Sequence, residues 1–499
     1  MKQANKVFNG AILTVIMRWT DRLIGLISTI ILARLLVPED FGIIAMASLV
    51  VGFVDILLAL GVNQALIHNQ KPDLEDYHTA WTIRLIQSFL TSSILFFSAP
   101  VAAIYFNNDN ITDVLHVMAI GIIIGSLENI GIVDFQKKMQ FNLDFKFFFG
   151  KRIISFITTL LIAYYLHSYW ALVFGSLAGR IYGVIISYIM HKMRPKISLS
   201  RLKEILSFSQ WILFKNIGVY FDTKMDSLLV GRFLDSKALG GYTLAGEISS
   251  LPTTELLSPL GRVLFPAFVE KRNDPKAFEA RFQLALGVQC LVAIPACLGL
   301  IFITHDLVYL MLGEKWLFIA PVIQIMAISS LVGTLSHSGG YALLALGKVK
   351  LQALIIWLQA ILYILTALNY QDLSSARDFA IIRLIVIAIG SFILIGIILF
   401  QLQIAKPSNY ITTLIRPAIS GTIMFLSLDS LRPFLENILY LLTEWEPLLS
   451  SSIPIIRLTF FILSGAIIYS SSIFTLWFIV KKPEGAEAYL IKNLLLKTK

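Results

Sequence analysis

The sequence predicts an all-α, polytopic membrane protein with about 14 transmembrane helices, and three observations support this prediction. Hydrophobic residues make up 57% of its 499 residues. Charged residues make up only 14%, whereas soluble globular chains carry roughly a quarter. Apolar runs of about 20 residues, the length that crosses a bilayer, recur along the whole chain. Lipid rather than water is therefore the expected solvent for most of the surface.

The predicted spans follow the apolar runs and the polar residues that separate them. The first run contains Arg18, Asp21 and Arg22, which the core of a cleaved signal peptide would not tolerate, so we expect a retained helix. Residues 431–454 leave two alternatives open, a helix at the membrane surface and an irregular loop. The spans lie near residues 11–36, 41–67, 78–106, 111–134, 145–166, 168–191, 207–233, 238–266, 279–303, 319–346, 351–370, 379–402, 411–430 and 455–480.

Lysine and arginine residues alternate between successive loops, which predicts the orientation. Cytoplasmic loops retain positive charge, and short translocated loops lack it. If the N-terminus lies inside, most loop cations also lie inside, and the outside loops carry only Lys237, Lys315, Arg377 and Arg432. We therefore expect both termini in the cytoplasm. The net charge of +10 then reflects topology rather than a nucleic-acid surface.

An internal repeat divides the predicted spans. Residues 33–47 (ARLLVPEDFGIIAMA) align without gaps on residues 231–245 (GRFLDSKALGGYTLA). The identities are Arg34/Arg232, Leu36/Leu234, Gly42/Gly240 and Ala47/Ala245. Six spans separate the copies, so both halves have the same orientation and a pseudo-twofold axis along the membrane normal. We predict a six-helix lobe at residues 1–200, a second at 201–405, and two additional transmembrane helices with a basic cytoplasmic tail at 406–499.

Cations inside the predicted spans are the candidate binding residues, because ionisable groups are costly in a bilayer and face a cavity or a partner. Span 1 places Arg18, Asp21 and Arg22 on one helix face by their i, i+3, i+4 spacing. Cations outnumber acids near the middle of the spans, which favours an anionic substrate such as a phosphate ester. The predicted substrate-binding residues are Arg18, Arg22, Arg84, Arg180, Lys215 and Arg262.

Acids inside the spans are candidates for binding a coupling ion, either H⁺ or Na⁺. The alternative for each of these charged residues is a structural ion pair that joins helices, for example Arg18 with Asp21. His337 in SHSGG leaves a proton relay and a purely structural role open. The predicted coupling residues are Asp55, Asp222, Asp226 and Glu247.

Other patterns concern helix geometry and the absence of catalytic motifs. Glycines at four-residue steps in span 6 (175, 179, 183) and span 4 (121, 125) predict close helix packing. Pro252 and Pro259 predict a kink or break in span 8. The sequence contains no phosphate-binding P-loop, no G-x-S-x-G nucleophile motif and no cluster with metal-ligand spacing. We therefore expect a carrier rather than an enzyme, with neither cofactor nor metal.

Three stretches carry a resemblance to a known family: ILARLLVPEDFG (31–42), GGYTLAGEISSLPTTELLSPLGRVLFPAF (240–268) and LGEKWLFIAPVIQIM (312–326). They resemble the Wzx-type polysaccharide-unit flippases of the multidrug/oligosaccharidyl-lipid/polysaccharide exporter superfamily, close to the colanic acid exporter branch. The similarity extends from residue 1 to about residue 430.

The resemblance implies a two-lobed bundle with a cationic central cavity in the bacterial inner membrane. It implies transport of an oligosaccharide on undecaprenyl diphosphate from the cytoplasmic to the periplasmic leaflet, for surface polysaccharide or exopolysaccharide synthesis. Expected partners are that lipid-linked oligosaccharide, membrane lipids, and the polysaccharide polymerase and export machinery, with no nucleic acid. The alternatives are a cation-coupled multidrug antiporter of the same superfamily and a membrane-embedded glycan polymerase or ligase.

Overall fold

A computed structural model describes most of the chain, and its regular structure is helical. The described residues are 2–58, 62, 66, 72–202, 210–369, 373–401, 408–445, 452–483 and 485–489, and they contain no strand. Fourteen helices of 17 or more residues occur among them, in agreement with the all-α prediction. They are α1 (Lys2–Leu35), α2 (Pro38–Leu57), α3 (Leu74–Phe106), α4 (Asn110–Ser126), α5 (Phe141–Leu166), α6 (Trp170–Met190), α7 (Gln210–Phe233), α8 (Ser236–Lys271), α9 (Pro275–Met311), α10 (Ala320–Ala345), α11 (Val349–Asn369), α12 (Ala376–Gln401), α13 (Ser408–Trp445) and α14 (Ile453–Ile479).

Each long helix overlaps one predicted span, but not all are equally apolar. Among the described residues, ten helices are long and apolar enough to cross a membrane. An eleventh span results if α4 is counted together with the short helical segment Ile130–Lys137 that follows it. The other three long helices, α1, α7 and α8, carry most of the predicted intramembrane charges. Charge rather than length therefore separates them from the rest.

Three details differ from the predictions. α13 runs without interruption to Trp445, so residues 431–445 continue a long helix and form neither a separate interfacial helix nor a loop. α8 is continuous through Pro252 and Pro259, so of the predicted kink or break the break is wrong, and the kink stays a prediction. The predicted fourth span instead breaks after Ser126, where the chain bends by 68°.

The contacts between helices divide the chain into one unit at Met1–Gly241 and another at Tyr242–Lys499. In the first unit α3 packs on α4, α4 on α6, and α5 on α6. In the second unit α9 packs on α10, α10 on α12, and α11 on α12. Each pair in the second unit lies six helices after a pair in the first, as a six-span repeat requires. The lobe boundaries at residues 200 and 405 remain predictions.

The last two helices pack on α9 of the second unit. Arg457 of α14 forms an ion pair with Asp306 of α9. The Tyr469 hydroxyl of α14 donates a hydrogen bond to the Leu291 carbonyl at 3.0 Å. Both contacts lie on α9, so α13 and α14 are attached to that helix as well as to each other.

The segment after α6 is held against the start of α3. The Ser198 hydroxyl donates to Glu75 at 2.7 Å, and the Ser198 amide donates to Thr82 Oγ1 at 3.0 Å. Arg201 forms an ion pair with Asp73 at 3.2 Å. A hydrogen bond from the Asp76 amide is the largest cause that lowers the pKa of Asp73, so this carboxylate keeps the charge that Arg201 requires.

The two repeat-equivalent glycines contact each other's helix directly. A Cβ atom added to Gly42 on α2 would lie 1.7 Å from the Ser236 carbonyl oxygen of α8. A Cβ atom added to Gly240 on α8 would lie 2.2 Å from the Pro38 carbonyl oxygen of α2. Both obstacles are backbone atoms, which cannot rotate away, so glycine is required at both positions. The repeat detected in the sequence therefore marks a helix crossing within the first unit.

We expect Gly240→Ala to destabilise the protein by about 1–3 kcal/mol, because the added methyl group forces the two helices apart. The midpoint of thermal unfolding in detergent measures the effect. Gly299→Ala is the matched control, since a Cβ atom there meets nothing within 4 Å and alanine favours a helix. Equal midpoints for the two variants would contradict the close crossing.

Candidate functional site

A row of glycines on α6 brings α5 into close contact. A Cβ atom added to Gly175 would lie 1.8 Å from Thr159 Oγ1, and one added to Gly179 would lie 3.0 Å from Ser155 Cβ. At Gly183 the added atom would lie 2.7 Å from a side-chain carbon of Lys151. The predicted packing role of these glycines is confirmed. As a result, α5 lies against α6 along the stretch of α5 that contains the adjacent cations Lys151 and Arg152.

α1, α5 and α6 line an open cavity of about 490 Å³ within the first unit. Among the described side chains, four cations and one carboxylate line it, together with three phenylalanines. Such a lining has excess positive charge beside an apolar surface, which suits a ligand with an anionic and a less polar part. The lining residues are Met17, Arg18, Thr20, Asp21, Ile24, Phe145, Phe148, Phe149, Lys151, Arg152, Ser155, Ser176, Gly179 and Arg180.

The cations differ in how strongly they are already paired. Lys151 forms a largely buried ion pair with Glu128, whose side chain is 11% exposed. Arg152 pairs with Asp21 at 3.1 Å, and these side chains are 43% and 66% exposed. Asp21 thus joins α1 to α5, and in this pair its partner is not Arg18. Because the Arg152 pair is open to solvent, an incoming anion can compete for Arg152 more easily than for Lys151.

Arg180 connects this cavity to a smaller one. Its Nη1 donates to the Gly121 carbonyl of α4 at 3.2 Å, and Gly125 lies beside the same guanidinium. The second cavity, of about 260 Å³ between α2, α4 and α6, is also lined by Arg180 and Ser176. Asp55 on α2 lies within electrostatic range of Arg180. A residue predicted to couple an ion and a residue predicted to bind substrate are therefore near each other.

Arg84 lies away from the cavity and binds the broken end of α4. Its Nε and Nη2 donate to the Ser126 carbonyl at 3.2 and 2.9 Å, and Nη2 also donates to the Glu128 carbonyl. The last carbonyls of a helix have no donor within the helix, and a guanidinium can satisfy two of them at once. The contacts of Arg84 are therefore those of a helix cap.

The other predicted residues lie elsewhere or outside the described side chains. Arg22 is half-buried on α1 and is not among the described residues that line the cavity. Asp226 on α7 is buried and accepts a hydrogen bond from the Ser227 amide at 2.8 Å, and Asp222 is half-buried. Glu247 is exposed on α8 in the second unit. The side chains of Lys215 and Arg262 lie outside the described residues.

Lys151 and Arg152 are the residues that the sequence analysis missed. They are adjacent cations inside the predicted span 145–166, and that position was the available signal. Phe145, Phe148 and Phe149 follow helical spacing and look like ordinary lipid-facing residues in the sequence. Only the packing of α5 on α6 and α1 shows that all five side chains line one cavity.

Comparisons with known proteins agree on the family. Residues 31–321 match the family model described as polysaccharide biosynthesis protein. The lipopolysaccharide biosynthesis protein WzxC of Escherichia coli strain K12 is 23% identical over 66% of this chain and 68% of its own length. The succinoglycan biosynthesis transport protein ExoT of Rhizobium meliloti strain 1021 is 24% identical over 60% of this chain and 61% of its own.

A solved structure shares the fold. The lipid II flippase MurJ in an inward closed conformation superposes with a TM-score of 0.72 at 14% identity, covering 94% of this chain and 99% of MurJ. At this identity the likeness establishes the fold alone. Together with the apolar helices, it shows a multi-pass membrane protein.

We expect Arg84→Ala to destabilise the protein, because it leaves the Ser126 and Glu128 carbonyls without this donor, at about 1–3 kcal/mol for each buried group. Arg152→Ala, which removes a half-exposed side chain, should change stability by less than about 1 kcal/mol. Thermal unfolding of the two variants side by side measures the difference. A larger loss for Arg152→Ala would show that the assignment of the two roles is reversed.

Proposed function

Because the chain belongs to the polysaccharide biosynthesis protein family, we propose that it is a flippase for an oligosaccharide linked to a lipid diphosphate. The proposed cargo is an undecaprenyl-diphosphate-linked repeat unit that crosses from the cytoplasmic to the periplasmic leaflet of a bacterial inner membrane. In this proposal the protein moves its cargo across the membrane and does not make or break any covalent bond in it. The polymerase and the export machinery that use the cargo are its proposed partners.

The cationic cavity of the first unit is the observation that carries this proposal. A diphosphate needs several donors at one place, and guanidinium groups bind phosphate oxygens in pairs. Arg18, Arg152 and Arg180 supply such donors around a space of about 490 Å³. The rings of Phe145, Phe148 and Phe149 line the same space and offer apolar surface to the remainder of the ligand.

The depth of the cavity fits loading from the cytoplasmic leaflet. The lining residues of α5 lie between Phe145 and Ser155, and the helix begins at Phe141. At 1.5 Å per residue they lie roughly 6–21 Å along the helix from its start. In the predicted orientation α5 starts at the cytoplasmic side, so the cavity lies in the cytoplasmic half of the membrane.

Acids inside the helices are the proposed coupling residues. Asp55 attracts Arg180, so its protonation would change the field at a binding cation. Asp222, Asp226 and Glu247 remain candidates for the same role, as do Arg22, Lys215 and Arg262 for binding. Transport is proposed to occur by alternating access of the two predicted lobes.

We expect the double variant Arg18→Ala, Arg152→Ala to abolish polysaccharide export in a strain that lacks the chromosomal gene, because two phosphate donors are lost. The lipid-linked repeat unit should accumulate in the membrane, where mass spectrometry identifies it. Lys146→Ala is the matched control: Lys146 is exposed on the same helix and does not line the cavity.

Membrane levels of each variant, measured by immunoblot, separate a lost site from lost protein. Full export by the double variant would disprove the proposed site. If deletion of the gene leaves polysaccharide and lipid-linked intermediates unchanged but lowers resistance to cationic drugs, the chain is a multidrug antiporter instead.

A further inference from the structure

A polar network without formal charges lies inside the second unit. Gln289 on α9 and Ser338 on α10 are both 0% exposed, and the Ser338 hydroxyl donates to Gln289 Oε1. The Gln289 amide nitrogen Nε2 lies 2.8 Å from His337 Nδ1. The three side chains form a continuous hydrogen-bonded chain between α9 and α10, which pack directly on each other.

The orientation of the Gln289 amide sets the direction of the hydrogen bonds. With Nε2 facing His337, the amide nitrogen donates and Nδ1 accepts, so Nδ1 carries no proton. His337 is therefore neutral in this arrangement, with its proton on Nε2. The chain runs from the serine hydroxyl to the amide oxygen, and from the amide nitrogen to the imidazole.

A proton on Nδ1 would reverse this chain without breaking it. If the Gln289 amide turns over, its oxygen accepts from Nδ1–H and its nitrogen donates to the Ser338 hydroxyl oxygen. The hydroxyl can accept as well as donate, so both hydrogen bonds of this chain can form in either state. The network can thus hold His337 either neutral or charged, which an apolar pocket could not do.

The apolar surroundings of His337 make its protonated, charged form costly in free energy. Apolar side chains, including Phe282, Leu286 and Leu394, form the buried cluster to which α9, α10 and α12 contribute. Tyr341 packs edge-on against His337 with ring centroids 5.3 Å apart, and the buried thiol Cys290 neighbours Gln289 along α9. A charge in such a setting favours any conformation that admits water or an anion.

The charged residues on the helices that pack around His337 lie some way along the chain from the hydrogen-bonded network. On α9, Glu279 and Arg281 precede Gln289 by two turns or more, and His305 and Asp306 follow it by four or more. On α12, Arg383 lies about two turns from Ser391, which contacts Ser336. Lys350 lies at the start of α11, and Glu314 and Lys315 lie before α10. On α8, Gly261 meets Tyr341 and Glu255 lies earlier, while the Arg262 side chain is outside the described residues.

We propose that His337, held by Gln289 and Ser338, is a proton-binding site of the second unit, and that its protonation drives a step of the transport cycle. The site is distinct from the acids Asp55, Asp222, Asp226 and Glu247. Its coupling to transport rests on the proposed flippase function, whereas proton binding itself does not.

Nuclear magnetic resonance of the full-length protein with ¹⁵N-labelled histidine tests the binding site. The signal that disappears in His337→Gln identifies His337 among the seven histidines. We expect it to report a neutral ring protonated on Nε2 at high pH and an imidazolium at low pH. Gln289→Glu should raise its titration midpoint by about one pH unit or more, and Gln289→Leu should lower it.

That order of midpoints separates a proton site from a packing role, which would not respond to the charge at position 289. A His337 signal that shows no titration between about pH 4 and 9 in the native protein, or one whose midpoint is the same in both variants, overturns the proposal. His305→Gln removes an exposed histidine of α9 and serves as the control for the titration.

Transport into proteoliposomes tests the coupling, with purified lipid-linked repeat unit as cargo and an imposed pH gradient. We expect the gradient to accelerate transport by the native protein and by His305→Gln, and to have no effect on His337→Gln. An unchanged response in His337→Gln overturns the coupling. If the native protein moves no cargo while His337 still titrates in the expected order, the proposed flippase function fails and the proton site stands.

Discussion

Inside a helix bundle, a charge or a backbone carbonyl that lacks water needs a partner, and this constraint arranges the first unit. The end of α4 after Ser126 leaves carbonyls that the helix itself cannot satisfy. Arg84 donates to one of them, at Ser126, and to the Glu128 carbonyl just beyond the helix. Lys151 forms an ion pair with Glu128 beside the same break. The bend of 68° is therefore stabilised by two cations from neighbouring helices. Cations that remain near the cavity keep access to solvent.

Glycine provides the space in which these long cationic side chains lie. Gly121 and Gly125 leave room on α4 for Arg180. On α1, a Cβ atom added to Gly25 would lie 3.0 Å from the Arg152 guanidinium. A larger residue at Gly25 or Gly125 would crowd the neighbouring guanidinium group, whereas a Cβ atom at Gly121 would make an ordinary contact with Arg180 at 3.5 Å. Small residues in membrane helices are usually explained by helix association. Here the same residues also determine where positive charge can be placed.

The helices could be predicted from the sequence because hydropathy and loop charge are local properties. The contacts of the site could not. In the sequence, Lys151 and Arg152 look like charges near a span end, and only the packing of α5 on α6 shows their role in the cavity. Arg84 looks like a binding cation in the sequence, and only the break in α4 shows what it binds. That break follows no proline. Residues 431–445 also read ambiguously, because Leu435 and Leu439 acquire their buried face only from packing in the second unit.

A carrier must release its cargo, so the strongest possible anion site would be a poor one. Asp21 addresses this requirement. Its carboxylate pairs with Arg152 at 3.1 Å, so a phosphate that binds Arg152 in the proposed site would have to displace it. The displacement would lower the net affinity of the cavity for phosphate, since one ion pair is exchanged for another. A departing phosphate would then leave Arg152 free to pair with Asp21 again. Exposed, weakly held pairs are therefore better suited to transport than buried ones such as Lys151 with Glu128.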